Sequence, residues 1–232
     1  MTVLRVVVLT GSGISAESGI PTFRGSEGLW RSFSPEELAT PEAFKRDPTL
    51  VWEWYLWRKS LIAHAEPNEG HNALVKLENR LGDDFFLITQ NVDGLHQKAG
   101  SRRLLELHGN IWRVRCLSCS AVYCDYRTEM DKLPPSCIRC GGLVRPDVVW
   151  FGEAIDEKAL EVAFRWSSSC SIFVSAGTSA VVYPAAELPY IAKRSGAKLV
   201  EINPEETPIS TIADVIIREP ASRGVKKLLE ML

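Results

Sequence analysis

The chain has 232 residues, of which 45% are apolar and 24% charged, and its formal charge is −2. That balance suits one large domain, or one domain with a small insert, and argues against a general nucleic-acid or membrane surface, so an acidic ligand has to be met by local cations. No apolar run nears the ~20 residues that span a bilayer, and no secretory leader is legible at the N-terminus, so a cytoplasmic protein with no membrane partner is expected.

The run Val3 to Leu9 is apolar and β-branched, as a buried parallel strand is. It leads into Gly11-Ser12-Gly13-Ile14-Ser15-Ala16, which fits G-x-G-x-x-A, the turn of dinucleotide-binding units. Gly11 and Gly13 are expected to let the backbone approach phosphate oxygens, and Ala16 to let a helix pack on the strand. That helix has little room to run, because Gly19, Pro21 and Gly25 follow. No strand ending in an acid lies roughly 20 residues on, where a dehydrogenase keeps its ribose-binding carboxylate. Ile20 to Trp30, with Phe23 and Arg24, reads instead as a loop able to fold over a nucleotide that is consumed.

Ser34-Pro35-Glu36-Glu37 has the capping serine, early proline and acids of a helix start. Glu42 to Lys45 makes another short turn, and Pro48 opens a helix over 49–64. Its Trp52, Trp54 and Trp57 cannot all face one core, so it is expected to be wedged between two layers with part of one face lining a pocket. Tyr55 and Arg58, three apart, project from one side of the helix and could grip a carboxylate. On the residues alone, a solvent-facing arginine beside a packed tyrosine is the plainer reading. A helix over 72–81 follows, closed by Gly82, and then a strand over 85–89 that runs into Gln90-Asn91-Val92-Asp93. Amides and a carboxylate at the C-terminal end of a parallel strand sit where open α/β sheets bind ligands. A short strand over 104–107 ends at His108, a titratable base beside the same crest.

Cys116-x2-Cys119 and Cys137-x2-Cys140 carry the spacing of a closed four-cysteine zinc site, structural because it leaves no open position. Two disulfides are the alternative, disfavoured in a cytosolic chain. Cys124 and Cys170 read as bystanders. The module over 111–144 is too small for its own core, so the metal would supply its folding energy. Arg145 to Glu153 then reads as a strand with an open edge to which an extended peptide could add. Strands over 172–175, 198–202 and 215–217, a helix over 185–194 and a last helix over 222–232 complete an alternation that argues a parallel, doubly wound α/β sheet. Gly177-Thr178-Ser179 and Asn203-Pro204-Glu205 close two of these strands with small or polar turns.

Together these segments resemble the sirtuin family of NAD-dependent protein lysine deacylases. The resemblance rests on the 11–25 loop, Thr89 to Asp93, Leu107-His108-Gly109, the paired cysteines, Pro146 to Glu153, Gly177 to Ser179 and Asn203 to Glu205. It implies a Rossmann-like domain formed by 1–34, 72–110 and 145–232, with a small domain made of the helical insertion 35–71 and the zinc module 111–144. NAD, consumed as co-substrate, would lie between them, with one structural zinc ion in the module. The cofactor loop would supply Gly11, Ser12, Gly13, Ser15, Ala16, Glu17, Phe23, Arg24 and Trp30. Gln90, Asn91, Val92 and Asp93 would hold the nicotinamide end, and Gly177, Thr178, Ser179, Asn203, Pro204, Glu205 and Ala221 the adenosine end. His108 would be the general base, with Asn91 beside it in catalysis. An acylated lysine on an extended peptide would enter past Val148, Trp150, Phe151, Gly152, Glu153 and Val182, giving nicotinamide and O-acyl-ADP-ribose.

Tyr55 and Arg58 also match the Tyr-x-x-Arg pair of the subclass that removes acidic acyl groups, which reverses the plainer reading and favours succinyl, malonyl or glutaryl over acetyl. A deacetylase with little acidic preference, or a protein ADP-ribosyltransferase, would use the same nucleotide site. A zinc-ribbon nucleic-acid binder is disfavoured by the balanced charge, and a monomer is expected.

Overall fold

A computed structural model describes residues 4–23, 28–29 and 34–231. Six parallel strands form the main sheet, in the order β3-β2-β1-β7-β8-β9. They are β1 (Val6–Thr10), β2 (Phe85–Thr89), β3 (Leu104–Glu106), β7 (Ile172–Ala176), β8 (Lys198–Ile202) and β9 (Val215–Ile217). Every residue of β1 is buried because helices cover both faces. Val6 and Val8 meet α4 (Glu69–Leu81) and α8 (Ala221–Met231) through Leu74, Leu77 and Val225. Val7 and Leu9 meet α6 (Glu157–Ser169) and α7 (Leu188–Arg194) through Ala163, Leu188 and Ala192. The strand order reverses between β1 and β7, so the crevice outside their carboxyl ends is the ligand site such sheets provide.

A second, three-stranded antiparallel sheet joins β4 (Gly109–Cys116), β5 (Val122–Cys124) and β6 (Val144–Val148) in the order β5-β4-β6. The short helices α1 (Pro35–Leu38) and α2 (Pro41–Arg46) and the long α3 (Pro48–Ala63) pack against it around Trp52, Phe44 and Trp150. Trp52 Nε1 donates to the Val144 carbonyl at 3.0 Å and Lys59 Nζ to the Asp125 carbonyl at 2.6 Å, so α3 is tied to the zinc-bearing sheet by two buried hydrogen bonds. The three tryptophans separate as the helix requires: Trp52 and Trp54 are buried while Trp57 is 38% exposed.

The structure departs from the sequence reading in several elements. The stretch over 145–153 is not one strand: β6 ends at Val148, and Trp150 to Glu153 form a turn closed by the Glu153 N–H on the Trp150 carbonyl, with Gly152 at φ +85°. The helices α5 (Leu95–Ala99) and α6, and the strands β4 and β5, are elements the sequence reading did not place. The segment before α7 starts as a 3₁₀ turn, Ala185–Glu187. Among the described residues no helix is long and apolar enough to cross a membrane.

Candidate active site

Six connections at the carboxyl ends of the main sheet converge on a cavity of about 600 Å³, a size suited to a small-molecule ligand. Gly11 follows β1, Gln90 follows β2, His108 follows β3, Gly177 follows β7, Asn203 follows β8 and Pro220 follows β9, and all six line it. The opposite wall comes from Trp54, Tyr55 and Arg58 of α3 and from the turn Trp150 to Glu153.

The cofactor loop forms two 3₁₀ turns, Ser12–Ile14 and Ala16–Ser18, in place of a packed helix. Gly11 and Gly13 are needed there for another reason than phosphate approach. Their N–H groups donate to the Ala176 carbonyl at 3.1 Å and the Gly177 carbonyl at 2.8 Å, joining the two loops at the switch point. A Cβ at Gly13 would stand 2.7 Å from Gly177 Cα, and Gly177 itself sits at φ +62°. Ser12, Ala16, Glu17 and Phe23 line the cavity beside them. Arg24 and Trp30 lie outside the described residues.

Asn91 and Val92 line the cavity, whereas Ser15 and Asp93 stand behind it. The Ser15 hydroxyl donates to Asp93 Oδ2 at 2.8 Å and accepts from Asn91 Nδ2 at 3.2 Å, so the buried pair orients the amide that reaches the ligand space. Burial pushes the Asp93 carboxyl above its usual range, against the Leu95 N–H, the Ser15 hydroxyl and the Arg58 charge. Beneath them lies His71, which sequence reasoning passed over. Its Nδ1 accepts the Asn68 N–H at 3.2 Å and its Nε2 lies 3.5 Å from Ser15 Oγ. Its position three residues after the Asn68 cap was the only signal in the sequence.

His108 Nδ1 lies 3.1 Å from the Gln90 carbonyl oxygen. A carbonyl only accepts, so in the neutral ring Nδ1 carries the proton and Nε2 is the basic nitrogen. Burial pushes this imidazole below its ordinary pKa, and the Gln90 carbonyl offsets part of that, so the base form prevails at neutral pH.

At the other end, Gly177, Thr178, Ser179, Asn203, Pro204, Glu205 and Ala221 line one wall. Asn203 Nδ2 donates to the Thr178 carbonyl and Gln90 Nε2 to Thr178 Oγ1, each at 2.9 Å. The N-terminus of α8 opens onto this end at Pro220 and Ala221, where its dipole favours negative charge. The chain therefore offers a long crevice with an anion-favouring helix end, a carboxylate-bearing wall and a neutral base, which fits a dinucleotide.

The wall contributed by α3 overturns the solvent-facing reading of Arg58. Its side chain is 6% exposed, with Cζ 4.7 Å from the Phe23 ring centroid, 5.0 Å from Trp54 and 5.9 Å from Tyr55. Among the described residues no carboxylate forms an ion pair with it. Desolvation pulls its pKa below the ordinary arginine value, opposed by Tyr55 and Asp93. Val148, Phe151, Gly152 and Val182 line the approach to this wall, and Tyr183 and Phe151 are exposed at the rim.

The four cysteines form a separate centre. All four Sγ atoms lie within 4.8 Å of one another, with Cys116 and Cys140 3.5 Å apart and Cys119 and Cys137 3.8 Å apart. Zinc at ~2.3 Å from each sulfur requires edges of about 3.8 Å, so the cluster fits one structural zinc ion. Backbone N–H groups of Ser118 and Cys119 point at Cys116 Sγ, and that of Arg139 at Cys137 Sγ, which favours thiolates. Cys124 and Cys170 stand apart from the cluster.

A model of the Sir2 family matches residues 11–184. The NAD-dependent protein deacylase of Aquifex aeolicus (strain VF5) is 59% identical over 99% of this chain and 95% of its own length. A crystal structure of a Sir2 homologue in complex with NAD superposes with a TM-score of 0.90 at 49% identity, covering 98% of this chain and 88% of that one. A Sir2 structure with a p53 peptide and NAD superposes with a TM-score of 0.85 at 38% identity, covering 98% of this chain and 92% of that one.

Proposed function

The chain belongs to the Sir2 family and is an NAD-dependent protein deacylase; from that premise we propose that it prefers acidic acyl groups, removing succinyl, malonyl or glutaryl from lysine more efficiently than acetyl. The observation that carries this reading is Arg58. A guanidinium 6% exposed among three aromatic rings, with no carboxylate paired to it among the described residues, costs several kcal/mol. A carboxylate at the end of the acyl chain offsets that cost by a bidentate pair; an acetyl methyl leaves it standing.

The remaining roles follow from the walls of the crevice. NAD, when bound, supplies the ribose carbon that receives the acyl oxygen and the nicotinamide that leaves. The turns after β1 and β2 would hold its nicotinamide half, and Gly177 to Ser179, Asn203, Glu205 and the start of α8 its adenosine half. Asn91, held by Ser15, orients the ribose. His108 Nε2 takes a proton from a ribose hydroxyl, which frees that oxygen to attack the acyl carbon. Phe23 and Trp54 exclude water from the acyl side, and the peptide lies extended between Phe151-Gly152-Glu153 and Val181-Val182-Tyr183. The free cysteines suit a cytoplasmic enzyme, and we read it as a monomer.

The test is steady-state kinetics on peptides that differ only in the lysine modification. Arg58→Met is expected to lower kcat/KM for the succinyl peptide about 100-fold, or ~2.7 kcal/mol, and for the acetyl peptide far less. Equal losses on both peptides would overturn the acidic preference and leave the deacylase itself standing.

A further inference from the structure

We propose that Arg145 is a positioning residue of the acyl pocket: through the indole of Trp150 it holds the Tyr55 hydroxyl as a hydrogen-bond donor for an acidic acyl group. The proposal rests on the acidic-acyl reading above and adds a residue that lies outside the cavity wall.

Three observations build the chain of contacts. Trp150 Nε1 lies 2.9 Å from the Tyr55 hydroxyl, with both side chains at most 3% exposed. An indole N–H can only donate, so the Tyr55 oxygen is the acceptor and its own proton is left to be given away. Among the described residues no acceptor takes that proton. A phenol already accepting one hydrogen bond donates more strongly, because aligned hydrogen bonds polarise one another. The group it suits is an anion, and Arg58 is one helical turn along the same face of α3.

Arg145 fixes the indole. Its Cζ stands 3.3 Å from the Trp150 ring centroid, a close stack of guanidinium on aromatic face. The guanidinium is itself immobilised: Nη1 reaches Glu153 Oε1 at 2.5 Å, and Nη2 reaches Glu153 Oε2 at 2.9 Å and the Val148 carbonyl at 2.8 Å. Glu153 Oε2 also accepts the Trp150 backbone N–H at 2.8 Å, so one ion pair holds the tryptophan by ring and by backbone. A cation over the indole draws electron density from the ring and strengthens Nε1–H as a donor. The direction of polarisation runs from Arg145 through Trp150 to Tyr55 and ends where a negative acyl terminus would lie. A neutral acetyl group gains nothing from it.

A double-mutant cycle tests this, with Arg145→Gln, Tyr55→Phe and the double variant assayed on matched succinyl and acetyl peptides. Arg145→Gln is expected to raise KM for the succinyl peptide about 10-fold, the scale of one hydrogen bond to a charged group, with kcat changed less than about 2-fold. In the Tyr55→Phe background the same substitution is expected to have no further effect on the succinyl KM, because the proton it serves is gone. Arg145→Lys, which keeps the charge and loses the planar stack and fork, is expected to behave like Arg145→Gln and carries the test should that variant fold poorly. Additive losses, or equal losses on both peptides, would reduce Arg145 to a general support of the turn and overturn the proposal. If Arg58→Met also acts equally on both peptides, the acidic reading has failed beneath it; if Arg58→Met is selective, only the role of Arg145 has.

Discussion

At the scale of single residues the decisive facts are which atoms hold protons and which charges are buried. His108 is committed to one tautomer by the Gln90 carbonyl, and burial keeps the ring neutral. A base whose pKa is lowered loses its free lone pair only as the pH falls through that lowered value. The acid limb of kcat/KM is therefore expected below the ordinary histidine value near 6.5, and His108→Asn is expected to abolish turnover by about 10³-fold while NAD still binds. Rates measured from pH 5 to 8, with NAD binding by calorimetry, check both; an acid limb above 6.5 would contradict the assignment. The place of His108 at a strand end was legible in the sequence. The burial of Arg58 was not, because an i, i+3 spacing with Tyr55 says which residues share a face but not whether another layer covers it. That layer is Phe23 and Trp54, brought in from a distant loop and from the same helix.

Elements explain why the glycine-rich loop and the zinc sheet matter to a reaction neither performs. The loop after β1 is joined to the loop after β7 by the Gly11 and Gly13 N–H groups, with no room for a side chain at either glycine. Gly13→Ala forces backbone against backbone, so it is expected to cost about 2 kcal/mol, or ~6 °C in Tm, and to weaken NAD binding; thermal melts with and without NAD read both effects. The zinc sheet acts through α3, which it holds by the Trp52–Val144 and Lys59–Asp125 hydrogen bonds. Cys137→Ser is expected to release the metal, unfold the small sheet and abolish activity on both acyl peptides while the main sheet keeps its far-UV signal. A colorimetric zinc assay, circular dichroism and turnover check this, and retained activity without zinc would refute it. The paired cysteines, the six parallel strands and the long helix over 49–64 were visible from spacing and periodicity. The small strands β4 and β5 were not, since three to eight residues of mixed polarity around a metal knuckle carry no clear period. Nor was α6 placed, although Asp156, which caps it through the Ala159 N–H at 2.9 Å, and the apolar positions Ala159, Leu160, Ala163 and Phe164 carry a helical period.

For the whole molecule, the sheet and its helices are joined beneath the crevice by a buried polar core that also sets the pH range in which the fold holds. His71 of α4 and His96 of α5 lie with ring centroids 4.8 Å apart, both fully enclosed. His71 is held from Asn68 to Ser15; His96 meets Thr10 Oγ1 at 2.9 Å, and Thr10 donates to Thr89 Oγ1 at 2.9 Å across β1 and β2. Desolvation pulls His71 down to about 4, and His96, buried and facing His71, is lowered as well. The unfolded chain takes up protons on both rings below about pH 6.5 while the folded chain refuses them, so stability is full above 6.5 and is lost as the pH falls towards 4. For His71 alone the loss between pH 7 and pH 5 is about 2 kcal/mol, a large share of what a domain has to spare. Asp93, whose carboxyl is raised by burial, works in the opposite sense. Urea unfolding at pH 7 and pH 5 is thus expected to show a fall of at least about 2 kcal/mol in the native chain and a clearly smaller fall in His71→Asn, which keeps an acceptor for the Asn68 N–H and cannot be protonated. Equal pH dependence in the two proteins would show that the buried imidazoles do not couple the fold to acid.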